Sequence, residues 1–241
     1  MAKIDSSFGK NFDCRIDEFC TLMQSTARLL DEKSIHDLRV STRKLRMLLW
    51  IIKNGTPLKI PKALEHRLKS LGHALGRRRQ IDVLIHDAEH YGFSARLHEQ
   101  SRKSETLALK RWLSAHSQNQ TIKSLHQVRQ ELVTQSEVHQ KRVLKKAFKK
   151  LNLARSHFPR TPEKIHQLRI QAKKARYILE GFKKPCRPLK TLQEQLGRFH
   201  DLEVLKSTLG PSKRMTCVIK DQKHLLKSCR NLTVQLNSLA I

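Results

Sequence analysis

Acidic residues are scarce in this 241-residue chain: 21 Asp+Glu stand against 49 Lys+Arg, a formal charge of +28. Such an excess repels itself and disfavours the compact state unless counter-ions or a bound polyanion offset it. Glycine (8) and proline (7) are also few. The prolines fall in clusters between periodic runs, which leaves no room for the many tight turns of an all-β chain. Aromatics make up 5%, too few to furnish the stacking platforms of a single-strand nucleic-acid binder. The five cysteines (Cys14, Cys20, Cys186, Cys217, Cys229) include no C-x-x-C pair. That excludes a zinc ribbon and a disulfide framework, and implies reduced, mostly packed thiols of a cytoplasmic protein. No segment approaches 18 uncharged apolar residues, and the N-terminal residues MAKIDSSFGKNFD lack an apolar leader core, so no membrane association is expected.

What remains is helix. Apolar spacing of three and four predicts helices near 11–30, 34–53, 62–90, 94–116, 121–156, 162–183, 189–208 and 213–238. Ser34 followed by Asp37 reads as an N-cap with an acid at N3. Thr161-Pro162-Glu163 reads as an N-cap, a proline at N1 and a first-turn acid. The class is all-α.

The two helices opened by these signals carry one motif twice. Ile35-His36-Asp37-Leu38-Arg39-Val40-Ser41-Thr42-Arg43-Lys44-Leu45-Arg46 aligns with Ile165-His166-Gln167-Leu168-Arg169-Ile170-Gln171-Ala172-Lys173-Lys174-Ala175-Arg176. A second motif follows each copy. Leu68-Lys69-Ser70-Leu71 leads to Leu75-Gly76-Arg77-Arg78-Arg79-Gln80-Ile81-Asp82-Val83, and Leu189-Lys190-Thr191-Leu192 leads to Leu196-Gly197-Arg198-Phe199-His200-Asp201-Leu202-Glu203-Val204. Recurrence in the same order predicts an internal duplication: a single domain over 1–241, with one helical-bundle half in 1–120 and a pseudo-symmetric second in 121–241.

At 100° per residue, His36, Arg39, Arg43 and Arg46 share an arc of roughly 80°, with Leu38, Leu45, Leu49 and Ile52 opposite. His166, Arg169, Lys173 and Arg176 repeat the row. Like charges at such spacing destabilise their own helix, and phosphate oxygens are what arginine forks and lysine ammonium groups match. A charged stripe is usually a solvated face, but solvation gives no reason for the same row to occur twice. Arg79 and His200 continue the apolar stripes of the second motif and are expected to point inward, to floor the same site or to pair with a neighbour such as Asp82 or Asp201. Lys150 and Lys227 lie outside the rows.

These motifs resemble those of the CHAD family, the conserved histidine α-helical domain, over essentially the whole chain. The likeness rests on His-x-Leu-Arg-(Val/Ile) at His36 and His166, on the Leu-Gly segments at Leu75 and Leu196, and on Arg176-Tyr177-x-x-Glu180. Two departures stand out: Gln80 where the family usually has aspartate, which removes an obvious partner for Arg79, and Arg79 against His200 between the halves. The resemblance implies two four-helix bundles around a central basic groove, and binding of inorganic polyphosphate without catalysis, cofactor or metal. The candidate contacts are the basic residues of the four motifs: His36, Arg39, Arg43, Lys44, Arg46, Lys69, Arg77 and Arg79 in the first half, His166, Arg169, Lys173, Lys174, Arg176, Lys190, Arg198 and His200 in the second. Association with polyphosphate granules in the cytoplasm would follow.

The alternative is RNA or DNA on the same surface, since a chain of this charge binds nucleic acid at low salt regardless of purpose. A metal-dependent phosphohydrolase is suggested by His36-Asp37, His86-Asp87 and His200-Asp201. Neighbouring residues on a helix diverge by about 100°, however, and the rows lack the carboxylates a hard cation needs. A histidine nucleophile at His36 or His166 would have no separate acid or base.

Overall fold

The computed structural model describes residues 6–94, 96–133, 138–155, 158–159, 161–184, 186–212 and 214–237. Among them are nine helices and no strand: α1 (Ser6–Leu29), α2 (Glu32–Gly55), α3 (Lys62–His90), α4 (Arg96–Trp112), α5 (Ala115–Val133), α6 (Gln140–Arg155), α7 (Pro162–Gly181), α8 (Arg187–Leu209) and α9 (Met215–Asn237). None is long and apolar enough to cross a membrane. The chain forms two compact units. Unit 1 holds the residues up to Asp82 and Arg96–Val143; unit 2 holds Val83–Ala95 and the residues from Leu144 onward. One segment therefore crosses: the last two turns of α3 belong to unit 2, while α4 and α5 belong to unit 1.

In unit 1, α1 buries Phe8, Phe12, Ile16, Phe19 and Met23, spaced by four, four, three and four. That is the spacing of a single helical face, and α1 lays it against α2 and α5. The α1–α2 turn is two residues long. Leu30 takes a left-handed φ of 52° and its N–H closes on the Thr26 carbonyl at 3.0 Å. Asp31 then caps α2 by accepting from the Ser34 N–H at 2.6 Å. The expected cap at Ser34 is thus displaced. Helix α2 starts earlier, Ser34 sits at N3 with its hydroxyl donating to the Asp31 carbonyl, and Asp37 caps nothing. Thr161 does cap α7, accepting from the Lys164 N–H at 3.4 Å, with Pro162 in the first turn.

The helix expected over 121–156 is two helices, α5 and α6. No glycine or proline marks the break, and a tertiary contact lies beside it. Before α6 the chain returns to the end of α2, where the His139 N–H donates to the Gly55 carbonyl at 2.8 Å. A Cβ at Gly55 would lie 2.7 Å from Val138 and 3.0 Å from Val143, so only glycine admits this crossing. The stretch 134–137 lies outside the described residues.

Polar groups link helix α4 to α3. Arg78, buried on α3, pairs with buried Asp82 and donates from Nε to Thr106 at 2.7 Å. Arg102 reaches Asp82 at 3.2 Å, and Arg77 reaches Glu105 at 3.0 Å.

Unit 2 is built on α7, α8 and α9. Leu168, Ala172, Ala175 and Leu179 of α7 pack with Leu189, Leu192, Leu196 and Phe199 of α8, together with Leu151 of α6 and Cys229 of α9. A smaller cluster joins Leu84 and Ala88, from the end of α3, to Leu202, Leu205, Met215 and Val218. The thiols are less packed than expected. Cys14 and Cys217 are exposed and only Cys229 is buried; burial pushes its thiol up to about 12.

Candidate anion-binding faces

The repeated motif places its histidine in the second turn of α2 and of α7, and each row of cations then runs down the helix away from the buried leucines. In unit 1 the row meets α3, which runs antiparallel to α2. Three contacts set the register. Lys53 pairs with Glu65 at 2.8 Å, the Arg46 guanidinium lies over Gly72, whose Cβ would sit 3.1 Å from it, and Arg79 pairs with Glu32 in the first turn of α2. Arg79 thus finds its acid on α2, in a turn that the displaced cap had hidden, and needs no partner at position 80. It also lies close enough to His36 to act on it. Partial burial, followed by the charges of Arg79, Arg39 and Arg43, lowers the His36 imidazole below its ordinary value, with Asp37 opposing.

Unit 2 repeats the register. Arg176, the counterpart of Arg46, donates from Nη1 to Gln193 of α8 at 2.5 Å and from Nε to Glu180 at 2.7 Å. Its guanidinium also lies 5.0 Å from the centre of the Tyr177 ring. At the other end His166 meets His200, the counterpart of Arg79, with ring centres 5.1 Å apart and planes tilted by 50°. A small pocket there is lined by Pro162, His166, Arg169, Phe199, His200 and Glu203, among others. Burial lowers the His200 imidazole to about 4, helped by Arg169, His166 and Lys173. Burial also lowers His166, with Arg169 and Lys173 adding to it. Two rings within contact of each other are thus kept neutral by burial first and by the cations around them second. Arg169 and Lys173 of α7 bring positive charge to this pocket, and an anion entering it would oppose the part of each shift that those charges cause.

The predicted residues divide in two. His36, Arg43, Arg46 and Arg79 are brought together at α2–α3, and His166, Arg169, Lys173, Arg176 and His200 at α7–α8; Arg39, Arg169 and Lys173 also hold further polar contacts. Lys69 and Lys190 are exposed on α3 and α8, Lys190 within 3.9 Å of Glu194. Lys44 turns toward α1, lining a groove with Glu18, Thr21, His36 and Asp37. Arg77 and Arg198 do not join the rows. Arg77 is held by Glu105, and Arg198 by buried Asp87 at 2.5 Å. Each sits two residues before Arg79 or His200 and so faces a different helix; the inward side chains here are Arg78 and Phe199, and Arg79 and His200 are half-buried rather than inward as expected. Lys174 turns from its row toward α6, where burial, then Lys150 and Lys146, hold its ammonium below the usual lysine range. Lys150 therefore does not lie apart from the candidate set. Among the described residues no group of three or more His, Cys, Asp or Glu is placed to hold a metal ion.

Sequence comparison finds that the CHAD domain matches residues 15–210. Among solved structures the chain is similar to the CHAD domain of the plant Ricinus communis, with a TM-score of 0.71 and 20% identity over 99% of this chain and 93% of that one. It is also similar to PptA from Streptomyces chartreusis, with a TM-score of 0.59 and 12% identity over 97% of this chain and 99% of that one. At these identities the structural likeness speaks for the fold. Among curated proteins no sequence matches.

Proposed function

Because the chain belongs to the CHAD family, a family associated with polyphosphate binding, we propose that it binds inorganic polyphosphate on the cationic faces of α2–α3 and α7–α8 and does not turn it over. The observation that carries this reading is the α7–α8 pocket, where His166 and His200 stand 5.1 Å apart with Arg169 at the same opening. Arg169 and Lys173 add their charge to the burial that holds both imidazoles neutral, and an arriving phosphate offsets that charge. From His166 to Arg176 the row is roughly 15 Å long at 1.5 Å per residue, enough for several successive phosphates. The ligand needs only charge and N–H donors, and the rows supply both. The matching register of Arg46 with Gly72 and Arg176 with Gln193 supports descent of the two units from one duplicated helical unit.

Capture works by replacing counter-ions. Isothermal titration with long-chain polyphosphate at rising KCl should lose about 0.7–0.9 log units of affinity per log unit of salt for each phosphate neutralised. In competition, single-stranded RNA of matched charge should bind more weakly, and polyphosphate incubated with the protein should release no orthophosphate. Preference for RNA would move the function to nucleic acid; orthophosphate release lost on His166→Ala would make the protein an enzyme.

A further inference from the structure

The solvent side of α6 carries charge of one sign. The helix reads QKRVLKKAFKKLNLAR and contains no Asp or Glu. Ala147, Phe148 and Leu151 are buried, while Lys145, Lys146, Lys149 and Lys150 are exposed. At 100° per residue the four lysines fill an arc of about 140°. Three of their pairs stand at i, i+3 or i, i+4, each disfavouring the helix by a few tenths of a kcal/mol. From α7, half-buried Lys174 comes close enough to Lys150 and Lys146 for their charges to add to the lowering that its burial causes. Lys174 directly follows Lys173 of the α7 row. Cations on two helices thus lead from the row around to the α6 face.

We infer that Lys146, Lys150 and Lys174, with Lys145 and Lys149 beside them, form a second polyphosphate track that continues the α7 row and is engaged only by chains long enough to leave it. The inference rests on the polyphosphate reading above. Charge complementarity identifies the occupant as a polyanion. The face offers lysine, Asn152 and the exposed Leu153 but no aromatic ring, since Phe148 is buried. A nucleic acid would find no base-stacking platform on it, whereas a chain of bare phosphates needs none. Lysine also suits a track better than a fixed site, as a mobile point charge without a preferred fork geometry.

The test uses the full chain and two ligands, long-chain polyphosphate and tripolyphosphate. K146E/K150E should weaken long-chain binding on the order of tenfold at moderate salt and lower the salt slope by about two, with tripolyphosphate affinity held within about twofold. R169E should weaken both ligands. K223E/K227E on α9, with the same change in net charge, should cost long-chain binding far less. Amine labelling should show Lys146, Lys150 and Lys174 protected by the long chain and not by tripolyphosphate. Because the substitutions relieve like-charge repulsion, the free variant should melt no lower than the wild type, and K146Q/K150Q should show the same ligand split in weaker form. Equal losses in the α6 and α9 doubles, or equal losses for both ligands, would overturn the track, as would weakened RNA binding with polyphosphate binding intact. A silent K146E/K150E beside a damaging R169E removes the track and leaves the row; the reverse removes the row and leaves the track.

Discussion

His200 shows what a single side chain gives up to line this pocket. In the unfolded chain its imidazole takes a proton near pH 6.5, and in the folded one near 4. Between those values the unfolded state holds more protons, so the contribution of a neutral His200 is intact above pH 6.5 and is lost as pH falls toward 4. Without a polyanion, the melting temperature of His200→Asn should fall less than that of wild type between pH 7 and 4.5. The groups facing the ring are His166, Arg169, Lys173 and Glu203. A phosphate in the pocket raises both imidazoles, so binding near pH 6 should take up protons and tighten on acidification. Calorimetry in buffers of different ionisation enthalpy reads that uptake, and a null result would remove the histidines from the site. Arg43→Glu and Arg169→Glu should each weaken long-chain binding more than Lys227→Glu on the exposed face of α9. The row itself was legible in the sequence because 100° steps fix which residues share a face. The partner of Arg79 was not. Glu32 lies 47 positions earlier and enters only once α2 begins at Glu32.

At the scale of elements, amphipathic period served best where an element buries a stripe. The leucines of α3 and α8 fall where spacing puts them, and Thr161 caps α7 because Thr-Pro-Glu has few other uses. The start of α2 was missed because two cap-competent residues, Asp31 and Ser34, stand three apart, and the left-handed turn at Leu30 decides between them. The break between α5 and α6 was invisible for a related reason: the chain after it meets Gly55, about eighty residues upstream. Helix α4 depends on buried charge. Asp82 is shared by Arg78 and Arg102, so Asp82→Ala strands a buried guanidinium and should cost about 3–5 kcal/mol in urea unfolding, with protease cuts appearing first in α4. Thr161→Ala, losing a solvent-facing cap, should cost about 1 kcal/mol.

For the whole molecule, a formal charge of +28 favours an anionic partner, in keeping with the polyphosphate reading proposed above. Polyphosphate should therefore raise the melting temperature, and the rise should shrink as KCl replaces it. The repeat points to two halves meeting near residue 120; contacts within the chain place one earlier segment, Val83–Ala95, with unit 2. Periodicity does not reveal this, because α3 reads as one helix whichever core its last turns join. A fragment beginning at residue 144 should consequently show weak helical signal by circular dichroism and recover it when a peptide covering 83–95 is added.

The crossed segment also sets a schedule for biosynthesis. Leu84 and Ala88 leave the ribosome more than a hundred residues ahead of Leu202, Leu205, Met215 and Val218. At roughly 5–20 residues per second, that is a wait on the order of ten seconds. Through that interval Leu84 and Ala88 lack the side chains they pack against in the finished fold, so slowing translation should lengthen the time for which a chaperone can reach them.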